Sequence, residues 1–224
     1  MIHRRYLART SEEEKIVGIL GEDHFYSPEE EDFAERVISK YGVIASEMSD
    51  GLQPRDLLVI PGILILSPSI RMSKTYCNST HVNMKQIARR NQKEMVYLND
   101  FVRPERAILY SLLSPLLLPL GLVSTLKENM ESGNPYDAGK RRHEYIDPNF
   151  SIDNLNWEGK TNCFLLDVTN RDKQMANVAY PLIKRTPEPV LINCGLLHMS
   201  GVARNLATKF DELELVDQET PKYK

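Results

Sequence analysis

Residues 16–46 restrict the fold most, because they spell out a strand, a helix and a second strand in the order of a β-α-β crossover. IVGIL (16–20) is a short apolar run without alternation, as in a strand buried on both faces. Ser27-Pro28-Glu29-Glu30 follows as a capping box, with Ser27 set to accept from the third helical amide, Glu30 to reach back, and proline at the first helical position. Phe33, Ala34, Val37, Ile38 and Tyr41 recur at helical spacing, and Gly42 stands where a helix ends in the left-handed conformation. VIAS (43–46) is the next strand. Such a crossover joins parallel strands by a right-handed connection. The carboxyl ends of the two strands are therefore expected side by side at one sheet edge, with His24 and Glu47 both there.

The alternation continues along the chain. LLVIPGILIL (57–66) holds a Pro-Gly turn inside an apolar run, giving a hairpin or an irregular pair of short strands. HVNMKQIARRNQ (81–92) has helical character, and MVYL (95–98) reads as a strand that Asn99-Asp100 ends. CFLLDV (163–168) reads as a further strand, with Thr169 capping a helix that begins at Asn170 or Arg171. VLINC (190–194) is another strand, Gly195 to His198 its turn, and GVARNLATKF (201–210) the closing helix. ELELV (212–216) alternates like a half-buried edge strand. Strands alternating with helices define the α/β class. Since 224 residues suffice for one sizeable core, a single domain over 1–224 is expected, with an apolar helical segment and loop at 104–160 inserted in it.

The formal charge is −3, with acids and bases interspersed, whereas sequence-independent nucleic-acid binding needs a surplus of Lys and Arg. No nucleic-acid partner is expected, and RRHEY (141–145) is too short to change that. Cys77, Cys163 and Cys194 are too far apart for a disulfide framework or a thiolate zinc site, which indicates a reducing compartment. MIHRRYLARTSEEEK is basic but no apolar stretch of signal-peptide length follows it, so the expected location is the cytoplasm. AILYSLLSPLLLPLGLVSTL (107–126) has no charge and approaches the length of a membrane span, yet Pro115 and Pro119 would each remove a helical hydrogen bond. A buried helical hairpin or a homodimer face is expected there, with membrane contact through 107–126 as the alternative.

In open α/β sheets ligands sit outside the carboxyl ends of the strands. Those ends hold Glu22, Asp23 and His24 in GEDH (21–24), then Glu47, Asp100, Asp167, Asn170 and Arg171, and finally Cys194 with His198 in GLLH (195–198). Singly, each has an ordinary explanation. A strand-end histidine makes a local hydrogen bond, an acid caps the next helix, and Arg171 pairs with Asp167 or Asp172. Cys194 fills apolar space or, beside His198, is an activated nucleophile. Jointly, their convergence on one sheet edge points to a shared site.

GEDH after the first strand, VIASE ending in Glu47, VYLNDFVRPERAIL with Asp100 and Arg103, NRDKQMANVA with Arg171 and Met175, and VLINCGLLHMSGVARNL resemble the successive motifs of the TraB/Tiki superfamily. Its wider relatives include the erythromycin esterases and the ChaN haem-binding lipoproteins, whose G-E-x-H turn is close to GEDH. The resemblance implies a central, mostly parallel sheet flanked by helices, as in those three groups. It also implies a divalent-metal-dependent hydrolase on the Tiki side and a histidine-based esterase on the erythromycin side.

Two neutral imidazoles and a carboxylate suit manganese, iron, cobalt or zinc with positions left for water. On that expectation His24, Glu47 and His198 are the metal ligands, and Glu22 or Asp23 is the base or holds an imidazole. Arg171 stabilises negative charge on a peptide or small-molecule substrate, while Asp100, Arg103 and Asn170 help to hold that substrate. In the metal-free version His24 activates water, Glu47 orients it, and His198 or Arg171 polarises the leaving group. A different class remains beside these, a binding or regulatory protein that holds a peptide, haem or a lipid head group at the same edge.

Overall fold

The computed structural model describes residues 1–22, 28–47, 84–113, 115–116, 147–155 and 157–221. Its strands are β1 (Ile2–Arg9), β2 (Glu14–Glu22), β3 (Val43–Ser46), β4 (Glu94–Tyr97), β5 (Val190–Gly195) and β6 (Glu212–Glu219). They form one mixed sheet in the order β4-β3-β5-β2-β1-β6. The first four in that order are parallel, while β1 is antiparallel to both β2 and β6. The class is therefore α/β, as the alternation of elements predicts.

The helix α1 (Pro28–Ser39) forms where the 3.6-residue pattern places it. Phe33, Ala34, Val37 and Ile38 pack with Ile87 and Ala88 of α2 (Met84–Arg90) over Leu20, Ile44 and Leu191. Each of those three strand residues comes from a different strand, so one apolar layer holds β2, β3 and β5 together from one face. The opposite face is covered by α6 (Met199–Ala207): a Cβ added at Gly21 of β2 would stand 2.6 Å from Met199 Cγ and 2.9 Å from Leu196 Cδ2. Only a glycine lets that helix come so close.

Two expectations are corrected, and one strand that the sequence reading did not place is added. The strands of the β-α-β unit are not neighbours, because β5 lies between β2 and β3 and pairs with both. All six residues of β5 are buried, and a strand so fully enclosed belongs at the centre of a sheet. The basic N-terminal segment is itself a strand, β1, whose charges hide its pattern: Arg4 is fully buried, donating to Ser200 Oγ at 3.0 Å and to Gln218 Oε1 at 2.7 Å. CFLLDV is not a strand. It spans the end of α4 (Trp157–Leu165) and the start of α5 (Val168–Arg185), separated by Asp167 at φ 54°. A six-residue apolar run carries no period of its own, and this one is leucine-rich with a single β-branched residue, which suits a helix. ELELV, by contrast, is the alternating edge strand β6.

The chain falls into two compact units, one of Met1–Gly51, Asn78–Asp100 and Asn170–Lys224, the other of Leu52–Cys77 and Phe101–Thr169. The second contains the stretch expected as an insertion. Within it residues 104–113 form α3, whose Ala107 and Tyr110 pack with Leu165 of α4 while Ile108 and Leu112 face out. Among the described residues no helix is long and apolar enough to cross a membrane. Asp23, His24, the Ser27 cap, the 57–66 strands, Cys77 and residues 117–146 lie outside the described residues.

Candidate functional site

The carboxyl ends of β3, β4 and β5 and the first turn of α5 bring five charged side chains into one chain of contacts. Glu47 follows β3 directly. Its backbone N–H donates to the Asn193 carbonyl at 2.8 Å, and its Oε2 accepts from Gly195 N–H at 2.7 Å. The turn after β5 thus holds this carboxylate by backbone as well as side chain. Glu47 Oε1 accepts from the Arg171 guanidinium at 2.5 Å, and Arg171 Nε donates to Asp100 Oδ2 at 2.6 Å. Asn99, at φ 49°, turns the chain after β4 so that Asp100 reaches this position, in the left-handed region asparagine tolerates.

His198 closes a 3-10 turn, Leu196–His198, and leads straight into α6. Its Nδ1 lies 2.5 Å from Asp172 Oδ1, and its Nε2 lies 3.6 Å from Glu47 Oε1. Asp172 fits against α6 because residue 201 is glycine; a Cβ there would stand 2.5 Å from Asp172 Cγ. The order of contact is Asp172, His198, Glu47, Arg171, Asp100.

Enclosure and charge act against one another here. Burial disfavours the imidazolium of His198, but the carboxylates of Glu47 and Asp172 outweigh it and raise the pKa above the usual 6.5. Burial also lifts Asp100 to about 6, with Arg171 pulling down and Glu47 pushing up. Asp172 is raised chiefly by burial, against the pull of His198. Arg171 stays firmly charged, since Glu47 and Asp100 overcome the cost of its burial. Three carboxylates against two cations leave one negative charge over, so one proton is readily shared among them.

The remaining expected residues are placed differently. Glu22 is buried at the end of β2 and accepts from Asn193 Nδ2 at 3.3 Å, on the face of the sheet that carries α1. Arg103 grips Asp167, with Nε to Oδ2 at 2.6 Å and Nη2 to Oδ1 at 2.9 Å. Both belong to the second unit. Burial works against the Asp167 carboxylate, yet Arg103 holds it below the usual range. Burial, followed by the charge of Glu47, pushes the Cys194 thiol well up, which removes it as a thiolate nucleophile. Asn170 precedes Arg171 and has an enclosed Nδ2 without a hydrogen-bond partner.

Sequence reasoning passed over Asp172 and Asn193. Asp172 was visible as the second half of an Arg-Asp pair opening a helix, and Asn193 as the single polar residue in VLINC. The described residues do not by themselves fit a metal centre. His198 Nε2 and Glu47 Oε1 are suitably separated, and an imidazole held by a carboxylate is common at metals. Arg171, however, already sits on the same Glu47 oxygen. Among the described residues no group of three or more His, Cys, Asp or Glu side chains is arranged to hold a metal ion.

Fold and network together define the class: an α/β protein with a charged network at the carboxyl ends of its parallel strands. No family model matches the chain, and a search of curated proteins finds no match.

Proposed function

We propose that this chain is a hydrolase that activates water at the strand ends, the activity implied by its resemblance to TraB/Tiki proteins and erythromycin esterases. The observation that carries the reading is the Asp172–His198 pair, whose second ring nitrogen lies 3.6 Å from Glu47 Oε1. A water within hydrogen-bond distance of both is oriented by Glu47 and gives its proton to His198. Asp172 fixes the tautomer and stabilises the imidazolium that results. Arg171, charged and less buried than its partners, faces the oxygen on which negative charge develops. His198 thus takes the role of base, and Asp172 acts only through it.

Hydrolysis of N-acetylalanine 4-nitrophenyl ester and the matching 4-nitroanilide tests the reading. His198→Ala should abolish turnover, and Asp172→Asn should lower kcat/KM by about 10- to 100-fold. Turnover that survives His198→Ala sinks it. A divalent-metal version keeps Glu47 and His198 as ligands with His24 as the third, and requires Arg171 to leave Glu47 Oε1. Chelator sensitivity, with metal content lost in His198→Ala, is its signature. The pairing of Arg171 with both Glu47 and Asp100 favours a second reading, a binding protein for a peptide or similar ligand, in which Glu47→Gln weakens binding and no turnover exists.

A further inference from the structure

Two arginines of this chain hold aspartates in different ways. Arg103 lays its donors on both oxygens of Asp167, Nε on Oδ2 at 2.6 Å and Nη2 on Oδ1 at 2.9 Å. Arg171 divides its donors, giving Nε to Asp100 Oδ2 at 2.6 Å and Nη2 to Glu47 Oε1 at 2.5 Å. The first arrangement engages a whole carboxylate and suits a structural clamp. The second leaves an oxygen over on each acid. Glu47 fills its own with the Gly195 N–H, but Asp100 Oδ1 accepts from none of the described residues, although the side chain is only 3 % exposed. Burial, which the single bond from Arg171 only partly offsets, lifts the pKa of Asp100 to about 6.

The network is short of positive charge in the same place. His198 serves as base only when neutral, and Asp172, Glu47 and Asp100 then share Arg171 as their one cation. The oxygen open to a second cation is Asp100 Oδ1. Asp100 is joined to the base through contacts of 2.6 Å to Arg171, 2.5 Å on to Glu47 and 3.6 Å from there to His198 Nε2. Arg171 Nη1 bonds to none of the described residues and is free to take the substrate's carbonyl oxygen. A nitrogen on the carbon next to that carbonyl is thereby brought up to the carboxylate on the same guanidinium.

We propose that Asp100 binds a protonated amine of the substrate, so that the site takes compounds with a free amino group on the carbon beside the carbonyl under attack. This rests on the hydrolase reading above and narrows it to a class of substrate. An ammonium group supplies both the charge that the network lacks and the donor that Oδ1 lacks, whereas the same nitrogen once acylated carries no charge.

The test uses alanine 4-nitroanilide and alanine 4-nitrophenyl ester, each with its amine free and N-acetylated, on the full chain and on Asp100→Asn. Asparagine keeps an acceptor for Arg171 Nε and puts a donor in the place of Oδ1. The quantity read is the ratio of kcat/KM for the free amine to that for its acetylated counterpart, which cancels any loss common to both. It should fall by about tenfold or more in the variant. A ratio that changes by less than about twofold overturns the inference and leaves the hydrolase reading standing, as does His198-dependent hydrolysis of the acetylated probes alone. Hydrolysis of none of the probes overturns the reading and the inference with it. If Asp100→Asn fails to fold, pH dependence is measured on the native chain. There kcat/KM for the free amine should fall as pH rises through the pKa of that amine, with no such fall for the acetylated probe, and parallel profiles overturn the proposal.

Discussion

Gly201, in the first turn of α6, is where one added methyl group should disturb the site most. A Cβ built there stands 3.1 Å from Asp172 Cβ and 2.5 Å from its Cγ, and closer still to Oδ2. Carbon atoms settle about 3.5–4.0 Å apart, so the carboxylate must withdraw by about 1 Å. The 2.5 Å contact with His198 Nδ1, stretched that far, is no longer a hydrogen bond. A charge-assisted hydrogen bond contributes about 1.5–3 kcal/mol, so Gly201→Ala is expected to lower kcat/KM by about 10- to 150-fold. Stability should fall by less than the lost hydrogen bond alone would cost. Alanine in place of glycine inside a helix is favourable by about 0.5–1 kcal/mol, which offsets part of the lost contact. The assay is hydrolysis of the ester probe alongside thermal melting, in a cycle with Asp172→Ala. With Asp172 truncated to alanine, only its Cβ, 3.1 Å away, still presses on the new methyl, and there is no hydrogen bond left to break, so Gly201→Ala should cost little further activity. A second loss of similar size in that background would refute the reasoning, and so would full activity in the single variant.

Three more outcomes are expected. If His198 is the base, it must be neutral to act; kcat/KM should therefore fall as pH drops through a pKa above 6.5, and Asp172→Asn should move that acid limb to lower pH by removing a carboxylate that raises it. An unmoved limb assigns the titration to another group. His3 is held at about 4 by burial, against the pull of Glu219 and Asp217 and with Lys40 adding to the depression. The unfolded chain then takes up the proton first, near 6.5, so stability is full above that pH and falls by about 3 kcal/mol on acidification to about 4. Denaturant titrations of His3→Gln should lack that slope, and identical slopes in both proteins exclude His3 as its source. Arg103→Met leaves the 6 % exposed Asp167 carboxylate without its guanidinium. It should lower the melting temperature while kcat/KM on the ester probe stays within about twofold, and a selective loss of kcat/KM would return Arg103 to the substrate site.

The sequence was legible where its period was unambiguous. IVGIL, the α1 stripe from Phe33 to Ile38, VIAS, VLINC and the alternating ELELV all lie in the elements they predict, because strand and helix periods differ and those runs commit to one. CFLLDV failed because six apolar residues fit either. β1 failed because Arg4 breaks the alternation from the inside: it is buried but charged, and only its tertiary partners Ser200 and Gln218 explain why. At the site, Glu47, Asp100, Arg171 and His198 were found from their positions after strands or at a helix start. Asp172 needed the approach of α6 at Gly201, a contact between segments 29 residues apart that no local pattern announces.

The place of β5 decides which of these residues can cooperate. Glu22 ends β2 on the face that carries α1, whereas Glu47, directly after β3, joins His198 and Arg171. With β5 between them, Glu22 stands opposite Gly195, while Glu47 is bound by the Asn193 carbonyl and the Gly195 N–H. The inserted strand therefore supplies Glu47 with one backbone acceptor, the Asn193 carbonyl, and one backbone donor, the Gly195 N–H. It also delivers His198 from the following turn to within reach of Glu47, on the flank where Arg171 and Asp172 open α5. Burying three acids so close together is tolerable only with cations between them, and the topology provides one from α5 and one, protonatable, from the turn after β5. The same arrangement that makes the fold electrostatically possible sets an imidazole between two carboxylates, where its proton can be taken up and released.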